Sequence, residues 1–245
     1  RYPGDTMERA RERAKDAEGK INTLFPTPLR IELEKMAPRS VWNTQIKKRY
    51  ALCLTDGTMD VKGFEVVRRD APPFIGSVMG RVFDMVLKDH DLPAAEAHVA
   101  RAVRELGSGC VPLEDLQVGA KLKAEYANPN LAQAQVVQRM VDRGDLCVPL
   151  AGDRVAWIYV ERPGDVKAGD QAESLAYAEA RQLHPDLRYY LEKRFETPMR
   201  ALTDLLGLRF PEREFREALG NISRKRSGSR AITGLVSARR KRFHR

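Results

Sequence analysis

The hydrophobic period of this chain changes once, at "RDAPPFIG", and that change limits its fold more than any other feature. Ahead of Pro72-Pro73 the apolar residues mark strands. In "LRIELEKM" (Leu29 to Met36), Leu29, Ile31 and Leu33 alternate with Arg30, Glu32 and Glu34, which predicts a strand with one wet face. A second extended segment is expected from about Val41 to Leu54. "TDGT" (Thr55 to Thr58) then supplies the Asp-Gly of a hairpin turn, and "MDVKGFEVVR" returns. One helix precedes them. Asp5 is its expected cap, Glu8 stands three residues later, and Met7, Ala10, Ala14, Ala17, Ile21 and Leu24 step by three and four until Pro26 and Pro28.

Behind the double proline, which reads as a rigid bend, the period becomes helical. Helices are expected near 75–89, 94–106 (Ala95, Val99, Ala102, Val103, Leu106) and 130–143, with extended pieces at Val111–Val118 and Gly152–Val160. A helical pair follows through Leu187, Tyr190, Leu191 and Phe195, then Leu202, Leu205 and Leu206. Pro198 is expected to open the second member after Thr197, because an interior proline costs about 3 kcal/mol. The class is therefore α+β, an antiparallel sheet with a helix followed by a mostly helical part. The expected units are 1–73, 74–222 and a basic, mobile tail at 223–245.

Charge narrows the partners. Nine Lys or Arg residues and no acid lie from Arg224 to Arg245, which equals the whole net charge of +9. The other 223 residues balance at 34 basic and 34 acidic, so a uniformly basic body is excluded. No apolar run is long enough for a transmembrane helix, and "RYPGDTMERA" has no initiator Met and no signal-peptide pattern. A start at Arg1 reads as a piece of a longer chain. Cys53, Cys110 and Cys147 are odd in number and far apart, which points to a reducing compartment rather than a disulfide or metal framework. His90, His98, His184 and His244 have no ligand spacing either.

Cations gather on the hairpin itself. Lys47-Lys48-Arg49-Tyr50, then Lys62-Gly63, then Arg68-Arg69 are poor core material and call for a negative partner or for solvent. If 46–50 is a strand, Lys47 and Arg49 face one way and Lys48 and Tyr50 the other. The bland alternative is a solvated strand whose lysines protect an edge. Asp70 is expected to fix a neighbouring Arg, and Glu65 to serve structure. Arg154 is open between a partner contact and an ion pair with Asp153 or another acid. Tyr190 reads as core and Tyr189 is undecided. Lys121, Lys123 and Arg139 are ordinary surface candidates.

Taken in order, "GKINTLFPTPLRIELEKM", "KKRYALCL", "DVKGFEVVRRDAPPF", "GDRVAWIYV" and "RYYLEKRFETPMRAL" resemble the family B DNA polymerases over roughly residues 1–207, nearest the eukaryotic delta-like and large-DNA-virus types. "KKRY" alone is a weak signal; followed at twelve residues by "KGxExVRRD" it is a strong one. The resemblance implies the C-terminal part of a polymerase palm at 1–73 and a thumb at 74–222. It assigns primer-template contacts to Lys47, Lys48, Arg49, Tyr50, Lys62, Gly63, Arg68, Arg69 and Arg154, with Gly63 letting backbones come close.

The same resemblance places the catalytic carboxylates and their Mg2+ upstream of Arg1, and makes deoxynucleotides substrates of the parent. "YPGDT" lacks the second carboxylate, so no catalytic residue is assigned here; of Glu32 and Glu34, Glu34 is the favoured accessory metal candidate. Delta-type enzymes end in cysteine clusters, and here Cys147 is the last cysteine, which favours a viral-like relative. The tail reads most simply as a mobile basic arm that raises non-specific DNA affinity; "ITGLVS" faintly resembles a tail for a sliding clamp, and "ARRKR" a nuclear localisation signal, and the expected place of work is the nucleus or a site of viral DNA replication. Two readings compete: a nucleic-acid-binding module with no polymerase parent, and an interaction domain whose tail targets nucleus or acidic membrane.

Overall fold

The computed structural model describes residues 6–164 and 166–224. Helix α1 (Met7–Asn22) is capped by Thr6, whose hydroxyl accepts from the Arg9 N–H at 3.2 Å. Asp5, the expected cap, lies outside the described residues. None of the α1 side chains is buried.

The strand expected at Leu29–Met36 does not form. Its backbone groups are met by helix side chains instead of a neighbouring strand. Asn22 accepts from the Ile31 N–H at 2.8 Å and donates to the Ile31 carbonyl at 2.9 Å, and Glu18 accepts from the Leu33 N–H at 2.9 Å. The alternating pattern was a false sign of a ladder.

Strands β1 (Arg39–Trp42), β2 (Tyr50–Cys53) and β3 (Met59–Lys62) make an antiparallel sheet in that order. The single extended segment expected over Val41–Leu54 is thus two strands joined by a loop at 43–49. The Asp-Gly turn stands where it was expected, between β2 and β3, with Gly57 at φ +82°. Val61 and Ala51 turn one face inward, while Trp42, Tyr50 and Lys62 share the other in register.

A 3-10 turn (Glu65–Val67) leads to α2 (Pro73–Asp84), which opens on proline as a first helical residue can. It widens into a π turn (Met85–Asp89) before α3 (Leu92–Ser108). Ala95, Val99, Ala102, Val103 and Leu106 are all buried, as their spacing predicted. The piece expected to be extended at Val111–Val118 is a 3-10 turn (Leu113–Leu116) and then β4 (Val118–Lys121). Next come α4 (Ala132–Arg143) and β5 (Arg154–Tyr159), followed by a short α5 (Ala168–Gln171), β6 (Ala172–Glu173) and α6 (Leu175–Ala180). The second antiparallel sheet has the order β4-β5-β6.

Helix α7 (Leu187–Tyr189) runs through a π turn (Tyr190–Phe195) into α8 (Glu196–Leu206) without a break in helical backbone. The expected fresh start at Pro198 is therefore a widening of one helix. The wide turn comes just ahead of the proline, which has no N–H for the ladder. A last helix, α9, spans 212–224, so the boundary expected at Ser223 falls inside it.

One apolar core links these elements. Phe64 meets Phe83 edge to face at 4.9 Å, and the cluster continues through Met79, Val99, Leu106 and Trp157 to Tyr190, Phe195 and Leu202. No helix among the described residues is long and apolar enough to cross a membrane.

Candidate nucleic-acid interface

The loop 43–49 is built by Asn43. Its N–H donates to the Arg49 carbonyl at 2.9 Å, closing the loop, and its side-chain oxygen accepts from the N–H groups of Gln45 and Ile46. Lys47 and Lys48 sit on the exposed turn that results, not on a strand, so they do not alternate across a sheet as the pattern implied. Lys48 has φ +59°, in the left-handed region that a long side chain seldom occupies. Gly63 has φ +72° and faces that bend. A Cβ on Gly63 would lie 2.5 Å from the Lys48 carbonyl oxygen. The close approach expected of Gly63 is thus made to this chain's own backbone.

Arg49 turns inward. Its Nη2 donates to both Glu65 oxygens at 3.1 and 2.8 Å, and its guanidinium lies 4.7 Å from the Phe64 ring centre. Glu65 also stands 4.0 Å from Arg68. Arg68 in turn grips Asp70 through Nε at 2.9 Å and Nη2 at 2.6 Å. Those hydrogen bonds hold the Asp70 pKa below its ordinary value and raise that of Arg68. The structural roles expected for Glu65 and Asp70 are what the geometry contains. Arg154 forms no ion pair with an acid among the described residues. Its Nη2 donates to the carbonyls of Gly119 at 3.2 Å and Arg69 at 3.3 Å, tying β4 and β5 to the 68–70 segment.

Several of the residues singled out on the cationic ribbon are joined by short contacts: Gly63 lies against the Lys48 backbone, Glu65 joins Arg49 to Arg68, the Arg69 carbonyl holds Arg154, and Tyr50 pairs in register with Lys62. Lys47, Lys48 and Arg69 are exposed and form no ion pair with another described residue. Lys62 reaches Asp60 only at 3.7 Å.

Two hollows flank the 65–72 segment. One holds about 580 Å³ and is walled by Arg69, Gly119 and Arg154. The other, about 270 Å³, lies between Arg49 and Arg68 on one side and Lys193 and Arg194 on the other. Lys193 and Arg194 were missed in the sequence, where they pass for the wet face of an ordinary helix. Their signal is the π turn, which no hydrophobic period announces. Burial opposes the Arg194 charge, yet Tyr159 and Tyr189 raise its pKa, and its Nη2 donates to the Tyr159 hydroxyl at 2.5 Å.

Elsewhere the expectations divide. Lys121 and Lys123 are exposed, but Arg139 is not a free surface cation. It donates to the carbonyls of Gly169 and Ala172 and stands 3.6 Å from the buried Glu173. Tyr190 is fully buried, and Tyr189 is half-buried against Tyr159 at 4.2 Å. Glu34 is exposed and lies 3.1 Å from Lys35. Among the described residues no three His, Cys, Asp or Glu side chains gather as metal ligands, so these donors do not fit a catalytic metal ion. The tail motifs and "YPGD" fall outside the described residues.

Comparison with known proteins gives this band a context. The sequence profile of DNA polymerase family B matches residues 1–205. The chain belongs to that family. It is 29% identical over 208 residues to the DNA polymerase delta catalytic subunit of Candida albicans, covering 82% of this chain and 20% of that protein. A DNA polymerase of Paramecium bursaria Chlorella virus NY2A is 29% identical over 216 residues, covering 85% and 23%. The family B DNA polymerase from the archaeon Pyrobaculum calidifontis has a similar fold, with a TM-score of 0.55 at 22% identity over 78% of this chain and 24% of that one. The chain thus spans about a fifth of the length of the curated relatives it matches. Its mixed α/β architecture of small antiparallel sheets and many helices is that of a family member.

Proposed function

We propose that this chain is the duplex-gripping part of a DNA-directed DNA polymerase, with the end of the palm at 1–73 and the thumb at 74–222. In this reading the parent copies primer-template DNA from deoxynucleotides in the nucleus or at a site of viral replication. The two Mg2+ ions of nucleotidyl transfer belong to carboxylates outside the described residues. This chain holds the product helix in place.

The observation that carries the reading is the cationic band. A duplex presents one negative charge per about 1.7 Å of axis, and each phosphate neutralised releases counterions. Lys47, Lys48, Lys62 and Arg69 take the phosphates. Arg49, Arg68 and Arg154 brace the wall from behind, so their part in DNA binding is indirect. Backbone contact of this kind reads no sequence, which suits an enzyme that must copy any template.

Duplex affinity measured against salt tests the proposal. Lys47→Ala, Lys48→Ala and Arg69→Ala are each expected to lower the logarithmic slope by about 0.9 per lost phosphate, equally for duplexes of different sequence. Unchanged slopes in all three variants, or losses confined to one sequence, refute it. A salt-dependent slope with no primer-extension activity in the full-length parent favours the binding-module alternative.

A further inference from the structure

The outer face of the first sheet carries an aromatic pair that phosphate gripping does not use. Trp42, Tyr50 and Lys62 are directly opposite one another across β1, β2 and β3. The Trp42 and Tyr50 rings lie 4.8 Å apart at 33°, and the indole N–H donates to the Ser40 hydroxyl at 2.9 Å, which fixes the ring plane. Trp42 nevertheless remains 55% exposed.

The neighbouring row on the same face is Ser40, Leu52 and Asp60. It is covered: Lys35 reaches Asp60 at 2.8 Å and Leu52 is buried. The cover stops one row short of the aromatic pair. Beyond the open row lies the 43–49 loop with Lys47 and Lys48, and Asp60 is engaged by Lys35 at 2.8 Å and lies 3.7 Å from Lys62.

At that separation and tilt the two rings stack on each other, so Tyr50 backs the indole and the outward face of Trp42 stays open; an open aromatic face edged by ammonium groups matches a base with its adjoining phosphates. We infer that Trp42, backed by Tyr50, forms a stacking platform for an unpaired base of single-stranded DNA at the edge of the gripped duplex, where Lys62, in register with Tyr50, holds the phosphate at the junction. The inference rests on the duplex-gripping reading, because it places single-stranded DNA where the strand leaves the gripped helix. Base stacking on an aromatic side chain tolerates any sequence, as that function demands.

The two tryptophans make the test direct, since Trp157 is only 3% exposed and serves as an internal reference. The chain is titrated with a thymidine oligonucleotide and with an abasic oligomer of equal length and charge, while tryptophan emission is followed. The thymidine oligomer is expected to quench emission and the abasic one to bind without quenching. Trp42→Phe should remove the quenching and keep the affinity. Trp42→Ala should weaken thymidine binding about 5- to 150-fold and leave abasic binding unchanged.

Equal quenching by both oligomers, or equal affinity of Trp42→Ala for thymidine, overturns the inference. So does an emission shift with anionic phospholipid vesicles and none with DNA. If duplex binding keeps its lysine-dependent salt slope while the base effect is absent, the platform falls and the duplex grip stands. If the slope is absent, the grip itself falls.

Discussion

Gly63→Ala tests how the site is built, because two costs can be separated. An L-residue at φ +72° carries about 1–2 kcal/mol of left-handed strain that glycine does not. The new Cβ would also stand 2.5 Å from the Lys48 carbonyl and 3.2 Å from the Arg49 Cα, both of them backbone atoms that cannot rotate away. Forcing them apart adds about 1–3 kcal/mol, the usual cost of overpacking. Gly57 supplies the control, having φ +82° and no atom within 4 Å of its Cβ position. Gly57→Ala should therefore lose about 1–2 kcal/mol and Gly63→Ala about 2–5 kcal/mol. Urea denaturation at constant m-value measures both losses. Duplex binding, assayed where both variants are folded, should weaken in Gly63→Ala alone, since only there is the lysine turn displaced. Equal stability losses, or an undisturbed Lys48 turn in Gly63→Ala, would show that the two bends do not press on each other.

Two further outcomes follow from the core. Tyr190 donates to the Leu116 carbonyl at 2.8 Å and accepts from the Tyr159 N–H at 2.9 Å while fully buried, so Tyr190→Phe should cost about 2–4 kcal/mol by urea midpoint; a loss under about 1 kcal/mol contradicts that pair of hydrogen bonds. Burial, and then Arg101 and Arg81, lower the pKa of His98, so below about pH 6.5 the unfolded chain takes up a proton that the folded one refuses. Stability should be full above that pH and fall beneath it, and His98→Gln should flatten that part of the profile; an unchanged slope assigns the fall to other groups.

Features that depend on side-chain period were legible in the sequence. The stripe on α3 and the Asp-Gly turn between β2 and β3 follow from burial on one face and from a glycine at positive φ. What was not legible depends on partners distant in the chain. Leu29–Met36 alternates like a strand, yet a single Asn22 side chain does the work of a neighbouring backbone at Ile31. Arg139 looks like any surface arginine until α5 and β6 bring their carbonyls and Glu173 to it. Trp42 carries no period at all and becomes notable only because the cover on the sheet stops beside it.

The cations of the band divide by chemistry. A guanidinium is a planar fork that binds a carboxylate at two points, packs on an aromatic ring and keeps its charge when buried. In those ways Arg49 meets Glu65 and Phe64, Arg68 meets Asp70, and Arg194 meets Tyr159. An ammonium on a flexible stem is strongly hydrated and has no preferred direction, which suits phosphates that shift as a helix advances. Lys47 and Lys48 occupy such positions, with no described acid competing for them. The arginines other than Arg69 therefore set the shape of the wall, and Lys47, Lys48 and Arg69 leave their charge available. Glu65 and Asp70 neutralise Arg49 and Arg68, and backbone carbonyls hold Arg154, so the outer cations are left to a partner.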